Sequence, residues 1–300
     1  MADRIYATPH LNKITAALKN TKATHDREVL GAARDLYVEW IDKMESLSSV
    51  GRARVDEMVA LLNSYKDTLE VDLIMRRGSV FLRRQRGQLK LDNSVIEEFL
   101  IRLVDPSILA GIENLTFVTG PQKAFMSLAF VPTNFATLGH RPSVVLKSKD
   151  QDFVLGARLH YSFSPSQQFE PSDTASGSLI LATLAAECKV NLDKTMFQEA
   201  AGTAARLKQG CPIAKYFLLV EHLDMQPEDT RLTEIDNVFI LRRTKRLPAN
   251  RRDDADAVER QHKDHPIHPD VVWMFVEQMQ TIVSTAYFDP TAAIQRGSFV

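Results

Sequence analysis

Residues 178–194, SLILATLAAECKVNLDK, decide how the chain is read. Leu, Ile and Ala run almost unbroken from Leu179 to Ala186, the composition of a buried β-strand. Glu187 and Lys189 then follow two apart, and residues two apart on a strand point to the same face. A carboxylate and an ammonium therefore share the end of an apolar strand, where charges are costly unless paired or bound to a metal. A structural Glu–Lys pair satisfies that requirement, and so does a catalytic pair. With 38 acids in 300 residues, an acid-x-Lys spacing arises by chance about twice. The spacing alone is therefore weak, and its position on an apolar strand is what gives it weight. Residues 191–209 then read as a helix with Ala-rich packing faces, placing Lys194, Gln198 and Glu199 near one end of the sheet.

Upstream, KSKDQDFVLGARL places Asp150 and Asp152 directly before another apolar run. An acid entering one strand and Glu-x-Lys on the next resemble the PD-(D/E)xK nuclease arrangement. The chemistry requires such groups. Phosphodiester hydrolysis brings water to an anion and passes through a more crowded one. Mg²⁺ assists both and takes hard oxygen ligands. Two carboxylates, here Asp152 and Glu187, and the Cys188 backbone carbonyl would supply them. Lys189 adds a point charge beside the attacking water and the phosphate. The Pro that precedes the acid in this motif is absent, which leaves Asp150 and Asp152 both open. Asp152 is preferred because it abuts FVLG, and Asp173 is a weaker loop candidate.

Around this centre the period changes. Residues 26–47 and 51–75 carry apolar side chains at helical spacing, with Asp26 a candidate cap. Residues 75–90 hold six cations (Arg76, Arg77, Arg83, Arg84, Arg86, Lys90) and no acid, and Gly78 and Gly87 suggest turns. This reads as a loop suited to phosphate contacts or as a solvated basic surface. Asn93 or Ser94 caps a helix through VIEEFLIRLV, with Glu97 at the edge of its core face and Glu98 nearly opposite. From residue 115, LTFVTG, KAFMSLAFVP, SVVLKS, DFVLGARLHYSFS, AKYFLLVEHL and IDNVFILRRTKR read as strands, and 164–177 as an exposed loop. Residues 242–264 read as a mobile charged loop, and PDVVWMFVEQMQTIVSTAYF as a last helix. The expectation is an α/β fold: a mixed sheet flanked by helices, with an N-terminal helical part at 1–92 packed on a core at 93–300.

Composition narrows the class. The 37 Lys and Arg against 38 Asp and Glu give a net charge of -1, so a nucleic-acid partner requires segregated cations. Two cysteines cannot build a disulfide framework or a closed zinc site. No run approaches the ~20 apolar residues that span a bilayer, and MADRIYATPHLNK has no apolar stretch for a secretory signal. These features lead us to expect a cytoplasmic protein with no membrane partner.

Seven separated blocks carry a closer likeness: VALLNSYKDTLE, SVIEEF, KDQDF, AAECK, AGTAARLK, LTEIDNVFILR and FDPTAAIQRG. In this order and spacing, from about residue 55 onward, they resemble a subunit of the BbvCI-type restriction endonucleases. The resemblance implies the PD-(D/E)xK fold and a type II enzyme, one that cuts a short asymmetric double-stranded DNA site with a CTNAG-like core using Mg²⁺. It implies two related subunits, each cutting one strand; the second is a different chain or another copy of this one. The Glu-x-Lys corresponds to Glu187 and Lys189 and the preceding acid to KDQDF, while Glu97 or Glu98 corresponds to an additional acid near the metal. Arg76, Arg77, Arg83, Arg84, Lys194, Arg242 and Arg243 are expected to meet DNA, with 76–90 and 242–252 along its cleft. A repair or structure-specific nuclease of the same fold, and a non-catalytic DNA-binding or assembly subunit, are the alternatives. A discrete fragment pattern on phage DNA separates the first reading from the second, and unchanged cleavage in Glu187→Ala marks the third.

Overall fold

The computed structural model describes residues 6–284 and 290–298. The expected end of the last helix (285–288), the first two residues of the FDPTAAIQRG block and the first five of the chain lie outside the described residues.

Three helices open the fold: α1 (Pro9–Lys19), α2 (Arg27–Glu45) and α3 (Gly51–Lys66), the last continuing as a π-helix over Asp67–Arg77. Helix α1 has no counterpart in the sequence reading, although Pro at its first position is well placed to start it. Asp26 does not cap α2 through its side chain. Its carboxylate instead accepts the Ser79 N–H and hydroxyl, both at 2.7 Å. Ser79 in turn caps a short α4 (Val80–Gln85) by accepting from Phe81 N–H. The basic segment expected as a loop is therefore partly helical, because Leu82 is drawn fully into the core.

Helix α5 (Asn93–Leu103) is capped by Asp92, and Ser94 through Leu103 are all buried. Glu98, expected opposite the core, is covered by α1 and α2. It takes the His10 N–H at 2.9 Å and a short hydrogen bond from the Tyr37 hydroxyl. Asn93 accepts the Val190 N–H at 3.0 Å through its side chain, which ties the start of α5 to the sheet.

The sheet has five strands in sequence order: β1 (Val118–Phe130), β2 (Val144–Phe163), β3 (Ala175–Leu192), β4 (Lys215–Leu223) and β5 (Asn237–Lys245). β1–β2 and β2–β3 are antiparallel, whereas β3–β4 and β4–β5 are parallel. The short runs read separately upstream merge into two long strands, and irregular register absorbs the breaks. One break lies at Leu155/Gly156, where an added Cβ would sit 2.2 Å from the Leu181 carbonyl oxygen. α6 (Lys194–Gly210) crosses from β3 to β4 and is capped by Asp193, which accepts the Met196 N–H at 2.8 Å.

The expected loop at 242–264 instead contains the end of β5 and α7 (Ala255–Asp264), capped by Asp254. Helix α8 (Pro269–Ser284) and a short α9 (Pro290–Arg296) follow. One large apolar cluster joins α2, α3, α5 and α8 to one sheet face, including Phe153, Ala186 and Phe217. A second, with Val154, Ala185 and Tyr216, packs α6 on the other face. Among the described residues no helix is long and apolar enough to cross a membrane.

Candidate active site

The antiparallel ladder between β2 and β3 ends at the pair Phe153↔Ala186. One residue beyond, the main chains separate, and the Asp152 side chain takes over the pairing. Its Oδ2 accepts the Cys188 N–H at 2.9 Å. This fastens Asp152 to the segment that carries Glu187 and Lys189. Lys189 Nζ lies 3.2 Å from Glu187 Oε2, and the Tyr216 hydroxyl donates to Glu187 Oε1 at 2.5 Å. Each Glu187 oxygen is thus oriented, one by a cation from its own strand and one by the neighbouring strand.

Glu97 approaches from α5. It is 4 % exposed, and its Oε1 has no hydrogen-bond partner. Burial, with Asp152 nearby as the next cause, pushes its carboxyl up to about 7, against the pull of Lys90, Lys13 and Lys189. Burial by itself would lower the Lys189 ammonium, but Glu187 and Asp152 hold it above its ordinary value. Burial raises the Cys188 thiol, and Asp152, Glu97 and Glu187 raise it further. The Tyr216 phenol is pushed up by burial and by Glu187, so it stays a donor. Asp152, Glu97 and Glu187 therefore all act on Cys188, with Lys189 opposing them.

Carboxylate oxygens are the ligands that a hard divalent cation takes. The buried Glu97 Oε1 is the observation that bears on the fit: it has no hydrogen bond and only the Lys90 ammonium at 3.9 Å, and a buried carboxylate oxygen is costly unless something positive or protic meets it. Among the described residues no three Asp, Glu, His or Cys side chains are already gathered as a metal cage. Glu98 is not available to such an ion, since its oxygens are engaged by His10, Tyr37 and Arg102.

A cleft of about 770 Å³ opens beside Asp152. Asp150, Asp152 and Glu97 line it together with four cations: Lys13, Lys90, Lys123 and Arg158. Gln151 also lines it, 3 % exposed, with neither amide atom hydrogen-bonded. Sequence reading missed Lys13, Lys123, Arg158 and Tyr216 here. They come from four separate elements and leave no local signal.

The cations singled out from sequence fare unequally. Arg242 is corrected: it is fully buried, its Nε donates to Glu221 Oε2 at 2.9 Å, and it belongs to the core. The strand that carries it is covered on that face, so its charge is paired inward. Arg76 is surrounded by Asp72, Asp256 and Glu259, and Arg77 faces Glu28 at 3.4 Å. Arg243 lies 3.6 Å from Asp270 and Lys194 3.9 Å from Glu228. Arg83 and Arg84 are exposed. At the far end of the basic segment, Lys90 reaches the site itself, 3.8 Å from Asp152 Oδ1. The 242–252 stretch, expected along the cleft, contributes no residue to the lining of this one, and Arg246 and Arg252 both meet Asp224. Asp173 sits in the turn between β2 and β3.

A family model described as Bpu10I restriction endonuclease matches residues 88–299. Among solved structures, a chain titled "native BbvCI A2B2 tetramer at low resolution" is similar in fold. The TM-score is 0.66 at 19% identity, and the match covers 95% of this chain and 100% of that one. No curated protein matches the sequence.

Proposed function

The chain belongs to the Bpu10I restriction endonuclease family, and from that premise we propose that Asp152, Glu187 and Lys189 form its phosphodiester-cleaving centre. By membership it is a type II site-specific deoxyribonuclease acting on double-stranded DNA. The observation that carries the assignment of residues is the hydrogen bond from Cys188 N–H to Asp152, which brings the two acidic segments together.

We assign Asp152, Glu187 and Glu97 as side-chain holders of Mg²⁺, with the Cys188 carbonyl as a further ligand. On a strand a residue's N–H and C=O leave on the same side, so that carbonyl heads the way its N–H does, toward Asp152. Bound there, the ion would supply an activated water and neutralise the phosphate. Lys189, aligned by Glu187, places its ammonium to stabilise developing negative charge on the phosphate. Tyr216 fixes the Glu187 carboxylate from β4. The cleft with Lys13, Lys123 and Arg158 receives the DNA backbone, and exposed Arg83 and Arg84 extend that contact.

Each chain holds one such centre and cuts one strand. A related second subunit, or another copy, supplies the other cut, in keeping with the A2B2 assembly named for the similar structure. We divide the chain into an N-terminal helical region assigned to 1–92, described from residue 6, and a nuclease core assigned to 93–300. We place the enzyme in the cytoplasm, where its two buried, free cysteines stay reduced.

The test is to incubate the purified chain with Mg²⁺ and phage DNA, alone and with the product of any neighbouring related gene, and map the ends. Cuts at a fixed position in one short sequence support the proposal. Nicking that follows DNA structure rather than sequence contradicts it.

A further inference from the structure

Lys90 occupies an unusual place. Its backbone is left-handed, with φ of 54°, a conformation that non-glycine residues rarely adopt. It is held there by its N–H, which donates to the Gly87 carbonyl at 3.1 Å, and by its own carbonyl, which accepts the Ser94 hydroxyl. Lys90 therefore stands two residues before Asp92, the cap of α5, and turns its side chain back over the helix that carries Glu97.

The ammonium lies 3.8 Å from Asp152 Oδ1 and 3.9 Å from Glu97 Oε1. Neither oxygen accepts a hydrogen bond among the described residues. Asp152 Oδ2 is engaged by Cys188, while Glu97 Oε1 has no hydrogen bond. At these separations Lys90 compensates charge without making a direct hydrogen bond to either acid. Its side chain is 46% exposed, so it has room to leave.

We propose that Lys90 is a resident counter-ion of the acid pair, one that competes with the divalent metal for Asp152 and Glu97 and withdraws toward the DNA cleft when the metal binds. This rests on the metal reading given above. It makes Lys90 a positioning residue: it keeps two like charges together before the metal arrives, and it ties metal affinity to the cation's departure. A fixed positive charge beside a divalent site weakens binding, and a neutral side chain there strengthens it.

The test is a Mn²⁺ titration of the full chain without DNA, followed by the electron paramagnetic resonance of the free ion. Lys90→Met and Lys90→Asn are compared with the unsubstituted chain and with Lys43→Met, a distant surface control. Asn tolerates the left-handed backbone, so its variant separates charge from folding. Both Lys90 variants should bind Mn²⁺ about threefold or more tightly at low ionic strength, with the gain shrinking in high salt. Unchanged or weaker binding in both would overturn the role of Lys90 while leaving the metal centre standing. No binding to the unsubstituted chain would remove the centre itself, and this inference with it.

Discussion

Asp152 Oδ2 accepts the Cys188 N–H at 2.9 Å, one residue past the last main-chain pair of β2 with β3. The side chain thereby joins two strands at the point where they part, which leaves Oδ1 3.8 Å from the Lys90 ammonium. Asp150, by contrast, lies opposite Lys123 of β1.

That difference separates the two acids of KDQDF. Asp152→Asn should lower single-turnover cleavage by about 10²-fold or more while DNA binding persists, as expected when a ligand to catalytic charge is lost. Asp150→Asn should stay within about tenfold of the unsubstituted enzyme. A gel-shift titration beside the cleavage assay distinguishes the two effects, and a larger loss of cleavage in Asp150→Asn than in Asp152→Asn would return the choice to Asp150.

Glu97 links the site to pH. Its folded carboxyl is raised to about 7 from 4.5, so the fold binds a proton there that the unfolded chain releases. Stability from this group is full below about 4.5 and is lost as pH rises through about 7. The penalty at pH 8 in metal-free buffer is at most ~3 kcal/mol. Glu97→Gln should therefore raise the melting temperature at pH 8 by several degrees and change it little at pH 5. A gain independent of pH would contradict the assignment.

The buried charges away from the site make a separate claim. Fully buried Lys66 lies against Glu70 and 2.9 Å from Glu221, whose other oxygen holds Arg242. Removing one member leaves an uncompensated buried charge. Urea unfolding of Lys66→Met should show a loss of about 3–5 kcal/mol. A loss under 1 kcal/mol would mean that the cluster is hydrated.

Cations on the cleft should act on affinity rather than on the chemical step. Lys123→Gln and Arg158→Gln should each weaken DNA binding and reduce the slope of log K against log salt by about one. Arg76→Gln, already surrounded by three acids, should change the slope much less.

Much of this was legible in the sequence because the signals were local. Leu179 to Ala186 and YFLLV in β4 announced buried strands, and Glu187 with Lys189 followed from a two-residue step. Elements hidden from the sequence depended on distant partners. Glu98 lay on the wrong side of a helical wheel, yet α1 and α2 cover that side too. Arg242 looked like one more surface cation, because nothing near it in sequence shows that Glu221 is waiting inside. Lys13, Lys123 and Arg158 meet only when α1, β1 and β2 are assembled. The helix at 255–264 was obscured by its charge, which here serves ion pairs with the π-helical segment rather than disorder.

The most direct measurement is anomalous diffraction from a crystal of the chain soaked in Mn²⁺. The account predicts a peak with oxygen ligands from Asp152, Glu187, Glu97 and the Cys188 carbonyl, at roughly 2.1–2.3 Å as expected for a hard divalent ion. A fully occupied ion elsewhere, with none between these groups, would contradict it.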